Sequence, residues 1–237
     1  MLEKFLNRLI ELKRPETVEI DGRQYTTAKL YPVEDPTPAA ITVHTLASLA
    51  TYIKDHPADL PPVDQLILSV DSPVRVDLLS HGAGYFNQRR HCAAATVLPD
   101  EFPFGCYMPQ EEFVIAMMTR FVRDKMVDDI MAVAGNLSAD TNLAIEDDGV
   151  SQRLNVKAGI SRKSEVVVEN PVTLRPYRTF IEVEQPECQL VLRFKKDREG
   201  VPQCALFEAD GGLWKNKAAD NIATWLRQNV PGVSVLA

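Results

Sequence analysis

The chain has 237 residues, 45% hydrophobic and 25% charged, with a formal net charge of -7 at pH 7. That mixture carries enough apolar surface to offset chain entropy, so disorder is not the default reading. Net negative charge repels nucleic acid and anionic membrane at long range, and charges interrupt every apolar stretch of the ~20 residues that a bilayer requires.

Residues 2–13 place Leu2, Phe5, Leu6, Leu9 and Ile10 at helical spacing. This predicts an amphipathic helix docked by one apolar stripe, not a signal peptide. Asp21-Gly22 then predicts a type I′ hairpin turn, because both residues accept positive φ. Pro32, Pro36 and Pro38 mark a bend. Residues 45–54 read as a helix with Leu46, Leu49, Ala50 and Ile53 inward. Residues 66–70 and 74–79 read as strands joined at Asp71-Ser72-Pro73, and 85–97 as a third.

Pro109 suits a first helical position, with Glu111 and Glu112 favourable to the helix dipole. Phe113, Ala116, Met117 and Phe121 form its inward stripe. A second helix carries Met126, Val127, Ile130, Met131 and Ala134 and stops at Gly135-Asn136. With Met118, these methionines suit a hydrophobic core better than an adaptable groove.

From residue 142 the hydrophobic period becomes two. Strands are expected at 142–146, 150–158, 165–169, 172–175, 178–184, 189–196 and 201–208, with tight turns at Asp147-Asp148-Gly149 and Asp197-Arg198-Glu199-Gly200. Trp214, Ala218, Ile222, Trp225 and Leu226 then share one helical stripe, which predicts a C-terminal helix lying on the sheet. The expected fold is α+β: an N-terminal α+β lobe over 1–98, a helical pair over 99–139, and an antiparallel sheet covered by a C-terminal helix over 140–237.

Charge is segregated along the chain. Residues 99–150 hold eleven acidic side chains against three basic ones, and residues 151–198 hold ten basic against six acidic. Arg153, Asn155 and Lys157 alternate with Leu154, Val156 and Ala158. Val191, Arg193 and Lys195 alternate with Leu190, Leu192 and Phe194. One sheet face is therefore expected to be apolar and the other basic, an anion-binding face. Arg175-Pro176-Tyr177-Arg178 adds two cations and a phenol beside it. The candidate ligand-binding residues are Arg153, Lys157, Arg175, Tyr177, Arg178, Arg193 and Lys195.

Catalytic motifs are missing. His44, His56, His81 and His91 form no zinc-hydrolase spacing, and Cys92, Cys106, Cys188 and Cys204 form no zinc clip. No catalytic residue, metal or cofactor is expected from these motifs. Arg89-Arg90-His91 beside Cys92 favours a thiolate, without an oriented base. Glu182 and Glu184 project to one side of the strand expected at 178–184. An ion pair with Arg175, Arg178 or Arg193 suits them better than a metal, which needs more ligands.

Arg175-Pro176-Tyr177-Arg178, the strand at 189–194, Ala205-Leu206-Phe207-Glu208 and the final amphipathic helix together resemble the C-terminal part of the YfdQ-like family of phage and prophage proteins. The resemblance covers about the last 70 residues. It implies a phage-encoded accessory protein in the host cytoplasm, acting by binding, with counter-defence among such roles. The expected partner is a host protein or a small anionic ligand, in a homo-oligomer and away from membrane. A nucleic-acid accessory factor using Arg153, Lys157, Arg193 and Lys195 is the first alternative. A carboxylate enzyme using Glu182, Glu184 and Glu187 is the second.

Overall fold

A computed structural model describes residues 2, 4–5, 15–26, 38–82, 88–137, 146–147, 152–158, 162–168 and 170–237. The chain divides into two units, residues 1–38 and 39–237.

In the first unit, residues 2, 4 and 5 are helical, with Leu2 and Phe5 exposed. The rest of the helix expected over 2–13, and Pro32 and Pro36, lie outside the described residues. Strands β1 (Thr17–Ile20) and β2 (Arg23–Thr26) pair antiparallel, with Val18 opposite Tyr25. Asp21 and Gly22 take φ values of 50° and 76°, the pair of positive angles that a type I′ turn requires.

The second unit begins with β3 (Ile41–Val43) and α1 (Leu46–Asp55). Thr45 caps α1: its hydroxyl accepts from the Ser48 N–H at 3.0 Å. Leu46, Leu49, Ala50 and Ile53 are buried, as their spacing predicts. Strands β4 (Leu66–Ser72), β5 (Arg75–Ser80) and β6 (His91–Thr96) follow as an antiparallel meander. The two-residue strand β7 (Met108–Pro109) runs straight into α2 (Gln110–Arg120), so Pro109 is its cap residue, one place before the first helical position.

Helix α3 (Lys125–Gly135) is capped by Asp124, whose Oδ1 accepts from the Val127 N–H at 3.0 Å. Phe113, Ala116, Met117, Val127, Ile130 and Ala134 fill the core, but Met118 and Met126 are exposed. The methionines are thus only partly core. Four strands come next: β8 (Glu146–Asp147), β9 (Gln152–Ala158), β10 (Arg162–Val168) and β11 (Val172–Leu174). Then come β12 (Cys188–Lys196), β13 (Pro202–Glu208), α4 (Leu213–Asn229) and β14 (Ser234–Leu236).

The fold is α+β, with its strands distributed among several sheets. The single sheet expected after residue 140 is divided. Strands β10-β9-β8 form one antiparallel sheet and β11-β12-β13-β7 another. At the start of β11, Pro171 has no N–H to donate to a ladder. The preceding Asn170 side chain bonds both backbone groups of Leu192 instead, receiving the Leu192 N–H at 2.8 Å and donating to its carbonyl at 3.2 Å.

The third sheet has the order β14-β4-β5-β6-β3, with β14 and β3 parallel to their neighbours. The segments drawn at residues 98 and 139 interleave here, because C-terminal β14 pairs with β4. Its three residues carry too short a pattern to announce a strand.

No strand forms over 178–184. Buried Gln185 captures that backbone: its Oε1 accepts from the N–H groups of Arg178 (3.0 Å) and Thr179 (3.3 Å). Its Nε2 donates to the carbonyls of Phe180 (3.0 Å) and Val183 (3.3 Å). One amide side chain therefore satisfies four backbone groups that a ladder would otherwise pair.

Helix α4 serves two cores. Trp214 and Ala218, on its first turns, pack with α2, α3 and the four-stranded sheet. Ile222 and Leu226, on its later turns, pack with α1, the five-stranded sheet and Phe180. Its apolar stripe is the one read from the sequence, but it joins two sheets where one was expected. Among the described residues, no helix is long and apolar enough to cross a membrane.

Candidate functional site

Arg178 is the largest fully buried side chain among the described residues. Burying a guanidinium carries a desolvation cost that only close partners can offset. Its Nη1 donates to Glu208 Oε1 at 2.6 Å and lies 3.9 Å from the Cys188 sulfur. Its central carbon lies over the Phe104 ring at 3.9 Å and over the Trp214 ring at 4.6 Å. Two such cation–π contacts in a desolvated place contribute roughly 1–2 kcal/mol each. Among the described residues, the buried Nε has no hydrogen-bond partner.

Three local structures hold this arrangement. Backbone bonds fix the segment before Arg178: Val122 N–H donates to the Arg175 carbonyl at 2.8 Å and Tyr177 N–H to the Arg120 carbonyl at 2.9 Å. Phe104 sits in a loop tied to β13, where Gly105 N–H donates to the Leu206 carbonyl at 2.8 Å. Trp214 is placed by a sharp turn from β13 into α4. Gly211 and Gly212 have φ values of 63° and 87°, angles that side chains resist. Asp210 then receives the N–H groups of Gly212 (3.0 Å) and Trp214 (3.4 Å) on its two carboxylate oxygens.

A cleft of about 940 Å³ opens against this group. Arg178, Glu208, Phe104, Trp214 and Lys215 line it, together with the β4–β5 turn. Its size suits a metabolite-scale molecule. A second cleft of about 760 Å³ shares Trp214 and Asn216 and is lined by Glu184, Glu187, Asp210 and Asp220, with Lys217 among them.

Cys188, Glu208 and Asp210 place their ligand atoms within 4.8 Å of one another. These groups are already engaged: Asp210 with the start of α4 and Glu208 with Arg178. Burial pushes the Cys188 thiol up to about 12, against the lowering influence of Arg178. A guanidinium 3.9 Å from the sulfur opposes a second cation at this place.

The candidate residues separate in space. Arg178 lines the larger cleft. Arg175 instead reaches Asp124 at 3.5 Å. Arg153 and Lys157 lie on β9, whose side chains are outside those described, in a different sheet from Arg193 and Lys195 on β12. The four cations therefore do not share one sheet face as expected. On β12 itself the alternation is present, with Leu190, Leu192 and Phe194 buried. Lys195 Nζ lies 3.8 Å from the centre of the Tyr107 ring, which packs edge-on against Phe207.

Among the described residues, Glu182 takes a backbone partner rather than an arginine. Its Oε1 accepts from the Ala47 N–H at 3.2 Å, in the first turn of α1, where the helix dipole favours a carboxylate. Arg178 and Arg175 take Glu208 and Asp124 as partners instead. Cys92 is buried, and burial raises its thiol above the ordinary value despite Arg90, so the thiolate expected from its basic neighbours is disfavoured.

Arg178 stands in an unusual segment of the sequence, whereas Phe104, Trp214 and Glu208 carry no motif that marks them as its surroundings. The available signal was weak: Asp210-Gly211-Gly212 marks a sharp helix start that fixes where Trp214 falls. Compared with protein-family models, curated proteins and solved structures, the chain finds no match.

Proposed function

We propose that this chain is a non-catalytic binding protein for a small anionic ligand, taken up in the cleft beside Arg178. The observation that carries this reading is a buried guanidinium at a cleft wall whose one carboxylate partner among the described residues is the half-exposed Glu208. Such a group is a strong anchor for an anion, because charge-assisted hydrogen bonds gain strength where water is excluded. Lys215 adds a second cation at the exposed rim. A phage-encoded accessory role in host cytoplasm rests on the resemblance of about the last 70 residues to the phage family.

Thermal unfolding with succinate, inorganic phosphate or a nucleoside monophosphate at about 10 mM tests the reading. At least one anion is expected to raise the midpoint, with an effect that shrinks as salt rises. Lys215→Glu, at an exposed position, should weaken that response without lowering the ligand-free midpoint. An unchanged midpoint with every anion contradicts the proposal.

A further inference from the structure

We infer that Glu208 is a displaceable internal ligand of Arg178, and that the group it stands in for is the carboxylate of a small organic acid. The inference rests on the anion-binding reading of the cleft.

The two partners differ in freedom. The Arg178 side chain is 2% exposed, whereas that of Glu208 is 45% exposed. The arginine is fixed by two aromatic rings and by its own backbone bonds. Glu208 is the last residue of β13, and its side chain lines the open cleft. The salt bridge can therefore open only by the glutamate turning toward solvent. An incoming carboxylate regains the lost bond at Nη1, while the freed Glu208 regains water.

The occupant already present defines the chemistry. A carboxylate fits Nη1 at 2.6 Å, against the edge of a guanidinium whose face is covered by aromatic rings. The group Glu208 presents to Nη1 is a single carboxylate oxygen, and a charge-assisted hydrogen bond to a carboxylate is what an entering organic acid can reproduce. The empty protein thus competes with its own ligand, and affinity is reduced by the fraction of time Glu208 holds the site.

The test is titration calorimetry of succinate into the wild-type protein, Glu208→Gln and Glu208→Asp. Gln keeps the shape and removes the charge, and Asp keeps the charge and loses one methylene of reach. Both variants should bind succinate about 10-fold tighter than wild type, as expected for weakening one charged hydrogen bond. If heat unfolding shows that the Gln variant does not fold, the Asp variant decides. Equal succinate affinity in wild type and variants overturns the internal-ligand inference and leaves the anion site standing. No binding of any anion to any of the three overturns both. Phosphate binding tighter than succinate in the variants overturns the carboxylate assignment.

Discussion

Arg178 and Glu208 form a 2.6 Å ion pair in which the cation is buried and the anion is half in solvent. This asymmetry governs both stability and binding. Removing the arginine leaves an accessible carboxylate that water can solvate, but opens a hole beside Phe104 and Trp214. Arg178→Met should destabilise the protein by about 3 kcal/mol, chiefly through lost cation–π contacts and imperfect packing. Urea denaturation checks this, and the slope of the transition should stay unchanged.

Gln185 organises the loop that carries Arg178. Gln185→Leu retains similar bulk but removes four hydrogen bonds to the backbone, and the Phe180 carbonyl keeps only the Val183 N–H. At about 1 kcal/mol for each lost bond, a cost of about 3–4 kcal/mol is expected. Amide hydrogen exchange at Arg178 and Thr179 should accelerate well beyond the change at α1. Equal loss of protection at both places would mean that Gln185 supports the whole unit and not its own loop.

Glu182 has a different part. As an acceptor at the first turn of α1, it should contribute about 0.5–1 kcal/mol. Glu182→Gln should shift the denaturation midpoint slightly and leave anion binding unaltered. Loss of binding in a folded Glu182→Gln protein would move the site away from Arg178.

The thiols provide a separate check. Cys92, Cys188 and Cys204 are buried, and Cys106 is exposed. Burial pushes Cys188 and Cys204 up to about 12. A native thiol assay near pH 8 should therefore find one fast cysteine, and the denatured chain should show all 4. Fast reaction at Cys188 would contradict the enclosure described around Arg178.

Asp77 sets a pH dependence. Burial alone would raise its carboxyl, but hydrogen bonds from Arg75 (2.7 Å) and His91 (2.9 Å) prevail and hold it below the ordinary value. A carboxylate with a depressed folded value stabilises the protein above its unfolded value of about 3.9. That stability is lost as pH falls through the folded value. Asp77→Asn should thus lower the midpoint at pH 7 and narrow the gap to wild type under acid conditions. A gap that widens in acid would reverse the sign of this account.

Regular elements were legible because periodicity and caps report local physics. Thr45, Asp124 and Asp21-Gly22 each act within a few residues. The stripe from Trp214 to Leu226 also read correctly as buried, but not that it would join two sheets. Which sheet a stripe meets depends on distant strands, and β14 is too short to signal its pairing with β4. The strand expected over 178–184 failed because Gln185 outcompetes a ladder, and alternation does not register a single side chain bonding backward. Arg178 stood out as a cation in an unusual segment. Its partner Glu208 lies thirty residues on, and only the fold brings them together.

The most direct test of the anion site follows the Arg178 Nε–H itself. That proton is buried and unpaired, so it reports on its own surroundings. A proton–nitrogen NMR titration with succinate should shift the Arg178 Nε–H signal in step with binding, while signals from Tyr107 and Lys195 on the other sheet face stay in place. Saturable binding that leaves the Arg178 signal unmoved and shifts Tyr107 and Lys195 would contradict the account.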